Sequence, residues 1–198
     1  MGISRRTLMT SMLASGLVVS RRALALSGEP FPVFESDAEA IPYKFRRRMV
    51  DYATAEPPGT VIVDTGQKFL YHVEGNGQAT RYGVGVGKAG RTWYGDATIG
   101  RKEKWPIWVP TPEHLAEFPQ MAKWIHGMPG GRDNPMGARA LYLYQGDVDT
   151  VIRIHGAIKP TLIGKKTTAG CISLINIDII HLYDRVELGT KVVILPPA

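Results

Sequence analysis

Cysteine is almost missing from this chain: of 198 residues, only Cys171 carries a thiol. A lone cysteine excludes an internal disulfide, so this thiol is either a small buried hydrophobe or a reactive group. Long apolar runs are missing as well. The weakly apolar stretch at residues 8–19 is about twelve residues long, against the ~20 that a membrane-spanning helix needs. Internal repeats are absent, and so is the histidine and cysteine spacing of a zinc site. His114 and His126 stand without ligand-spaced partners, while His72 fits a strand face and His181 a helical stripe. The glycines within 83–90 are followed by loop and strand patterns instead of a helix, which excludes a dinucleotide fingerprint.

The first 25 residues read as an address. Ser4-Arg5-Arg6-Thr7-Leu8-Met9 opens with twin arginines, the apolar run follows, and Ala23-Leu24-Ala25 offers a small-x-small cleavage site. Arginines flank the run on both sides, which disfavours a membrane anchor, and no cysteine near the cut would accept a lipid. The pattern predicts a twin-arginine-type signal peptide over 1–25, export after folding, and a periplasmic or cell-wall location. No membrane span is expected once the signal is removed. The formal net charge of +6 shrinks with it: four arginines leave and no acid does, so 20 Lys and Arg face 18 Asp and Glu, or +2. That balance excludes a nucleic-acid footprint. Arg46-Arg47-Arg48 reads as a solvated basic face.

About 170 residues remain, enough for one domain with a sizeable core. An extended leader is expected over 26–58, punctuated by Pro30, Pro32, Pro42, Pro57 and Pro58, with a short helix within 43–53. Over 59–198 the pattern is that of short strands, at 60–64, 68–74, 79–86, 140–144, 151–155 and 191–195. Gly75-Asn76-Gly77 marks a hairpin turn. Thr111-Pro112-Glu113 predicts a short helix inside an otherwise loop-like insert over 105–139. An insert of that length in a small domain is more often functional or mobile than neutral. A second helix is expected over 176–186, capped by Asn176, with Ile179, Ile180, Tyr183 and Val186 as its apolar stripe. Trp93-Tyr94, Trp105, Trp108 and Trp124 fit either a substrate groove or a cover over the core, with core cover the default.

Cys171 stands in Thr167-Thr168-Ala169-Gly170-Cys171-Ile172, sixteen residues after His155 in Ile154-His155-Gly156. A cysteine becomes an acyl acceptor when a base or cation promotes its thiolate and backbone N–H groups await the developing oxyanion. His155, at the end of a strand, is the candidate base. Gly170 and Cys171 are the candidate N–H donors, on a loop expected to lead into the second helix. Gly156 and Gly170 lack side chains where a substrate backbone would pass.

The segment 153–195 resembles the catalytic half of the YkuD-type L,D-transpeptidases. It carries Ile154-His155-Gly156, Ile163-Gly164, Thr168-Ala169-Gly170-Cys171-Ile172-Ser173-Leu174, Asn176, Asp178, Leu182-Tyr183-Asp184-Arg185-Val186 and Gly189-Thr190-Lys191-Val192-Val193. Upstream, Phe69-Leu70-Tyr71, Gly83-Val84-Gly85-Val86-Gly87 and Asn134-Pro135-Met136-Gly137-Ala138-Arg139-Ala140 are similar to the family's N-terminal half, so the likeness covers about 59–195. Two positions depart from the pattern: Ala169 replaces a histidine and Ser173 an arginine. The second change bears on substrate preference.

The resemblance implies a mainly-β fold, a sandwich or barrel of short strands with a helix following the cysteine and a long inserted loop region. It implies a cysteine acyltransferase of cell-wall biogenesis that needs no metal and no cofactor. Cys171 would attack a peptidoglycan tetrapeptide stem and His155 would move the proton. Gly170, Gly156, Thr168 and Ala169 would support the site, and Ser173 and Tyr142 would contact substrate. Peptidoglycan stem peptides are the implied partners, with three acceptors open. A second stem gives a 3→3 cross-link, water an L,D-carboxypeptidase, and the lysine of an outer-membrane lipoprotein an anchoring enzyme. A catalytically lapsed wall-binding module is the reading from a different class.

Overall fold

β-Branched and aromatic residues in alternation set the strands. A computed structural model describes residues 25–87, 93–168 and 170–196. In chain order the strands are β1 (Arg48–Asp51), β2 (Val61–Asp64), β3 (Phe69–Gly75), β4 (Gln78–Gly83), β5 (Val86–Gly87), β6 (Gly95–Lys104), β7 (Arg139–Gln145), β8 (Val148–Ala157), β9 (Lys166–Thr168), β10 (Ile172–Ile175) and β11 (Lys191–Leu195). The helices are α1 (Pro112–Glu117) and α2 (Asn176–Tyr183). Nine strands form one sheet in the order β1-β4-β3-β2-β11-β6-β7-β8-β10, and β5 and β9 pair beside it. The sheet curls on itself. Gly85, just past β4, and Ser173 on the far edge strand β10 exchange two backbone hydrogen bonds of 2.8 and 2.9 Å. Inside the curl, Val63, Leu70, Tyr82, Ile99, Leu141, Ile154 and Leu174 meet Ile179 and Leu182 of α2 in one core. The mainly-β architecture with a helix after the cysteine is the one expected.

Local chemistry places the turns. Asn76 and Gly77 both take positive φ, 52° and 72°, which is the tight hairpin that Asn-Gly favours. Thr111 Oγ1 accepts the His114 N–H at 3.2 Å and Pro112 opens α1 behind it.

Several expectations need correction. The helix over 43–53 is a single 3-10 turn, Tyr43–Phe45, followed by strand β1. The open edge of β4 offers unpaired backbone groups, and pairing from Arg48↔Arg81 to Asp51↔Gln78 satisfies them better than a short helix would. Residues 95–104, with no strand expected, form β6, paired to β11 on one side and β7 on the other. Its charged residues Arg101, Lys102, Glu103 and Lys104 hide the strand pattern, and tertiary pairing overrides it. Residues 172–175, expected as loop, are the fully buried strand β10, too short an apolar run to classify by period. Asn176 does not cap α2: its Oδ1 accepts the Ala138 N–H at 2.9 Å, across the fold.

The leader is stitched to the body. Ile41 and Phe45 pack with Ile163 and Ile175; the Phe45 ring fills the space where Gly164 carries no Cβ, and the Phe45 backbone passes where Gly83 carries none. Arg47, expected in solvent, instead pairs with buried Asp178 at 2.9 Å. The expected signal peptide lies, but for Ala25, outside the described residues.

Candidate active site

Strands β8 and β10 run parallel, with Ile172 beside Ile154 and Ser173 beside His155. Side chains alternate along a strand, so Cys171, two residues before Ser173, points to the face that also bears His155. Both line a cavity of about 240 Å³. Ser173, Ala157 and Leu162 line it too, as do Trp108 and Met136, and Thr111 and His114 of the insert.

His155 Nδ1 lies 2.7 Å from the Gly156 carbonyl oxygen. A carbonyl only accepts, so the neutral ring keeps its proton on Nδ1 and leaves Nε2 as acceptor. Burial lowers the imidazole pKa to about 4; the Arg153 charge pushes the same way, and the Gly156 carbonyl opposes both. Cys171 is only partly covered from water, yet protein surrounds it on most sides. Burial therefore raises its thiol pKa, against a backbone hydrogen bond at Arg153 and the charge of that arginine. The resting pair is a neutral thiol beside a neutral base.

Arg153 is fixed from two directions. Asp149 takes both ends of its guanidinium, at 2.6 and 2.8 Å, and the group lies 4.4 Å from the centre of the Tyr142 ring. Tyr142 itself is buried; its hydroxyl donates to Glu103 at 2.8 Å, and Arg101 stacks on its ring at 3.6 Å. It does not line the cavity, and it touches the site through Arg153.

Gly156 has a different reason from the one expected. A Cβ there would overlap Asn176 Oδ1 and meet the Ala138 nitrogen at 2.9 Å, so the glycine admits the start of α2, with no space left for a substrate backbone. Gly170 sits at φ 138°, backbone that favours glycine. Thr168 ends β9, and Ala169 lies outside the described residues. Ser173 is buried; its Oγ has no hydrogen-bond partner among the described residues and abuts Gly85.

Trp108, open in the sequence to both groove lining and core cover, does both: it packs on Met136, Ala140 and Tyr142 and faces the cavity. One titratable side chain of the cavity was missed by sequence reasoning. His114 comes in on α1. The Thr111 cap located that helix, but nothing in the sequence said which surface it would cover.

A family model described as the L,D-transpeptidase catalytic domain (YkuD) matches residues 58–194. The protein named Probable L,D-transpeptidase ErfK/SrfK from Salmonella typhimurium is 34% identical over 142 residues, 69% of this chain and 44% of that protein. Probable L,D-transpeptidase YbiS from Escherichia coli is 31% identical over 139 residues, 68% of this chain and 43% of that one. The chain thus spans less than half the length of these curated relatives. A crystal structure from Brucella melitensis, named a Probable carnitine operon oxidoreductase (caia), is 46% identical and covers 81% of this chain and 99% of that one, at a TM-score of 0.54. An L,D-transpeptidase from Mycobacterium smegmatis shares the fold at a TM-score of 0.51, with 16% identity, over 69% of this chain and 58% of that one. With the family match running through both halves of the sheet, from β2 to β11, the chain belongs to the YkuD family of L,D-transpeptidase catalytic domains.

Proposed function

We propose that this protein is an exported peptidoglycan L,D-transpeptidase working through an acyl-enzyme on Cys171. The observation that carries the reading is the shared cavity of Cys171 and His155, with the imidazole turned by Gly156 so that Nε2 is its acceptor. His155 Nε2 takes the thiol proton as Sγ attacks the carbonyl between the diamino residue's L-centre and the terminal D-residue of a stem. A C–S bond forms, the C–N bond breaks, and the proton goes to the leaving amine. An amine of a second stem then attacks the thioester: a new C–N bond forms as the C–S bond breaks, and His155 passes the amine's proton to the departing Sγ. The Gly170 and Cys171 N–H groups are the oxyanion donors in this scheme. Neutral resting groups suit it, because the thiolate forms only as the bond is made.

The test is mass spectrometry of the chain from Leu26 onward and of its Cys171→Ala variant, each incubated with tetrapeptide stems or a carbapenem. An acyl adduct on Cys171, lost in the variant, with 3→3 dimers as product, is the expected result. No adduct on folded protein overturns the reading, and tripeptide as sole product makes the enzyme a carboxypeptidase.

A further inference from the structure

We infer that His114 is a specificity-determining residue of this site, its imidazole meeting the carboxylate of the D-residue that leaves; this rests on the transpeptidase reading above. A tetrapeptide stem brings a terminal carboxylate into the cavity, and the cavity has little to greet it. Among the described residues that line it there is no lysine and no arginine. Position 173, an arginine in the family pattern, is a buried serine. Arg153 is already committed to Asp149 and to the Tyr142 ring. His155 is taken up with the proton transfer. Of the two lining hydroxyls, Ser173 Oγ is buried against Gly85 and Thr111 Oγ1 caps the backbone N–H of His114, so His114 is the lining side chain that offers a carboxylate a ring N–H for a charge-assisted hydrogen bond.

Its position suits the leaving residue. His155 has Ala140 as its register partner on β7. Ala140 packs with Met136, and Trp108 lies on that pair. The His114 ring stands edge-on to Trp108, with centroids 5.1 Å apart, and its other neighbour is Phe118 at 5.3 Å. A continuous wall therefore rises from the His155 side of the cavity and ends in His114. The leaving amine must reach His155 to be protonated, and its carboxylate is on the adjoining carbon, so it faces this wall. The ring's mount is firm: two aromatic contacts hold it, and Thr111 caps the backbone N–H of the same residue.

The test compares stems ending in D-alanine with stems ending in D-alaninamide, using wild type, His114→Leu and His114→Arg. Release of the terminal residue yields kcat and KM, and carbapenem acylation of Cys171 is followed separately. Wild type is expected to favour the carboxylate by about tenfold in KM, roughly the worth of one charge-assisted hydrogen bond. His114→Leu, which keeps bulk but no donor, should raise KM for the carboxylate stem and bring the preference to within about twofold, and His114→Arg should restore it. An unchanged preference in His114→Leu, with Cys171 still acylated, overturns the inference. Absence of acylation in wild type would instead strike the transpeptidase reading.

Discussion

Cys171 and His155 are shifted in opposite directions by the same surroundings, and the pH dependence of the reaction should record it. With the imidazole held near pKa 4, the base stays available well below the range of an ordinary histidine. Carbapenem acylation of Cys171 is expected to hold its rate to about pH 5 and to lose it with an apparent pKa near 4; an acid limb near 6.5 would contradict the burial of the ring. The raised thiol makes the complementary statement: alkylation by iodoacetamide, which needs the thiolate, should climb only above the usual thiol range. His155→Gln should slow acylation by about 10²–10⁴-fold, the ordinary worth of a positioned base.

Strands and helices hold these residues through a few crossings. Asn176 opens α2, yet its side chain reaches Ala138 beneath Gly137 and Gly156, locking the helix to β8 at the residue that orients His155. Asn176→Ala leaves a buried N–H without its acceptor and should cost about 1–3 kcal/mol in urea unfolding. Slower acylation should accompany it as the Gly156 carbonyl loosens. A second crossing joins the leader to α2 through Arg47 and Asp178. Burial raises the Asp178 pKa to about 6, with Arg47 opposing. Arg47→Ala therefore strands a buried carboxylate and should destabilise by about 2–4 kcal/mol at pH 8, and by less at pH 5, where Asp178 takes up a proton. Equal losses at both pH values would show that the charge is not what matters.

For the whole molecule, acid stability is a contest among buried groups. His155 and His181 both have pKa values lowered to about 4, chiefly by burial. The unfolded chain binds protons at these sites more readily, so they remove stability as pH falls from about 6.5 toward 4. Asp178 acts the other way: its contribution is full below about 3.8 and is lost as pH rises through 6. Two histidines outweigh one aspartate, so urea midpoints should fall on acidification below about pH 6.5, and His155→Gln should flatten that fall. The leader adds a clasp. Glu29 accepts from Trp105 Nε1 at 2.7 Å and from the buried Arg139 guanidinium, the two ends of the insert that brings Trp108 and His114 to the cavity. Glu29→Ala leaves Arg139 buried and unpaired; a loss of about 3–5 kcal/mol and a shifted Trp105 emission are expected.

Local chemistry was legible without the fold. The lone thiol, the His-Gly at a strand end, the Asn-Gly hairpin, the Thr-Pro helix start and the alternation of β3 and β8 all follow from side-chain type and spacing, which act within a few residues. The tertiary structure decided whatever depends on a partner far along the chain. β6 is a strand because β7 and β11 flank it, and β1 because β4 had an open edge. Arg47 is an ion-pair partner because α2 buries an aspartate beside it, and Asn176 serves Ala138 because the sheet curls. His114 faces the cavity because the insert folds back over β7 and β8. Period and propensity carry no term for such contacts, since their energy comes from surfaces that meet only once the chain has closed on itself.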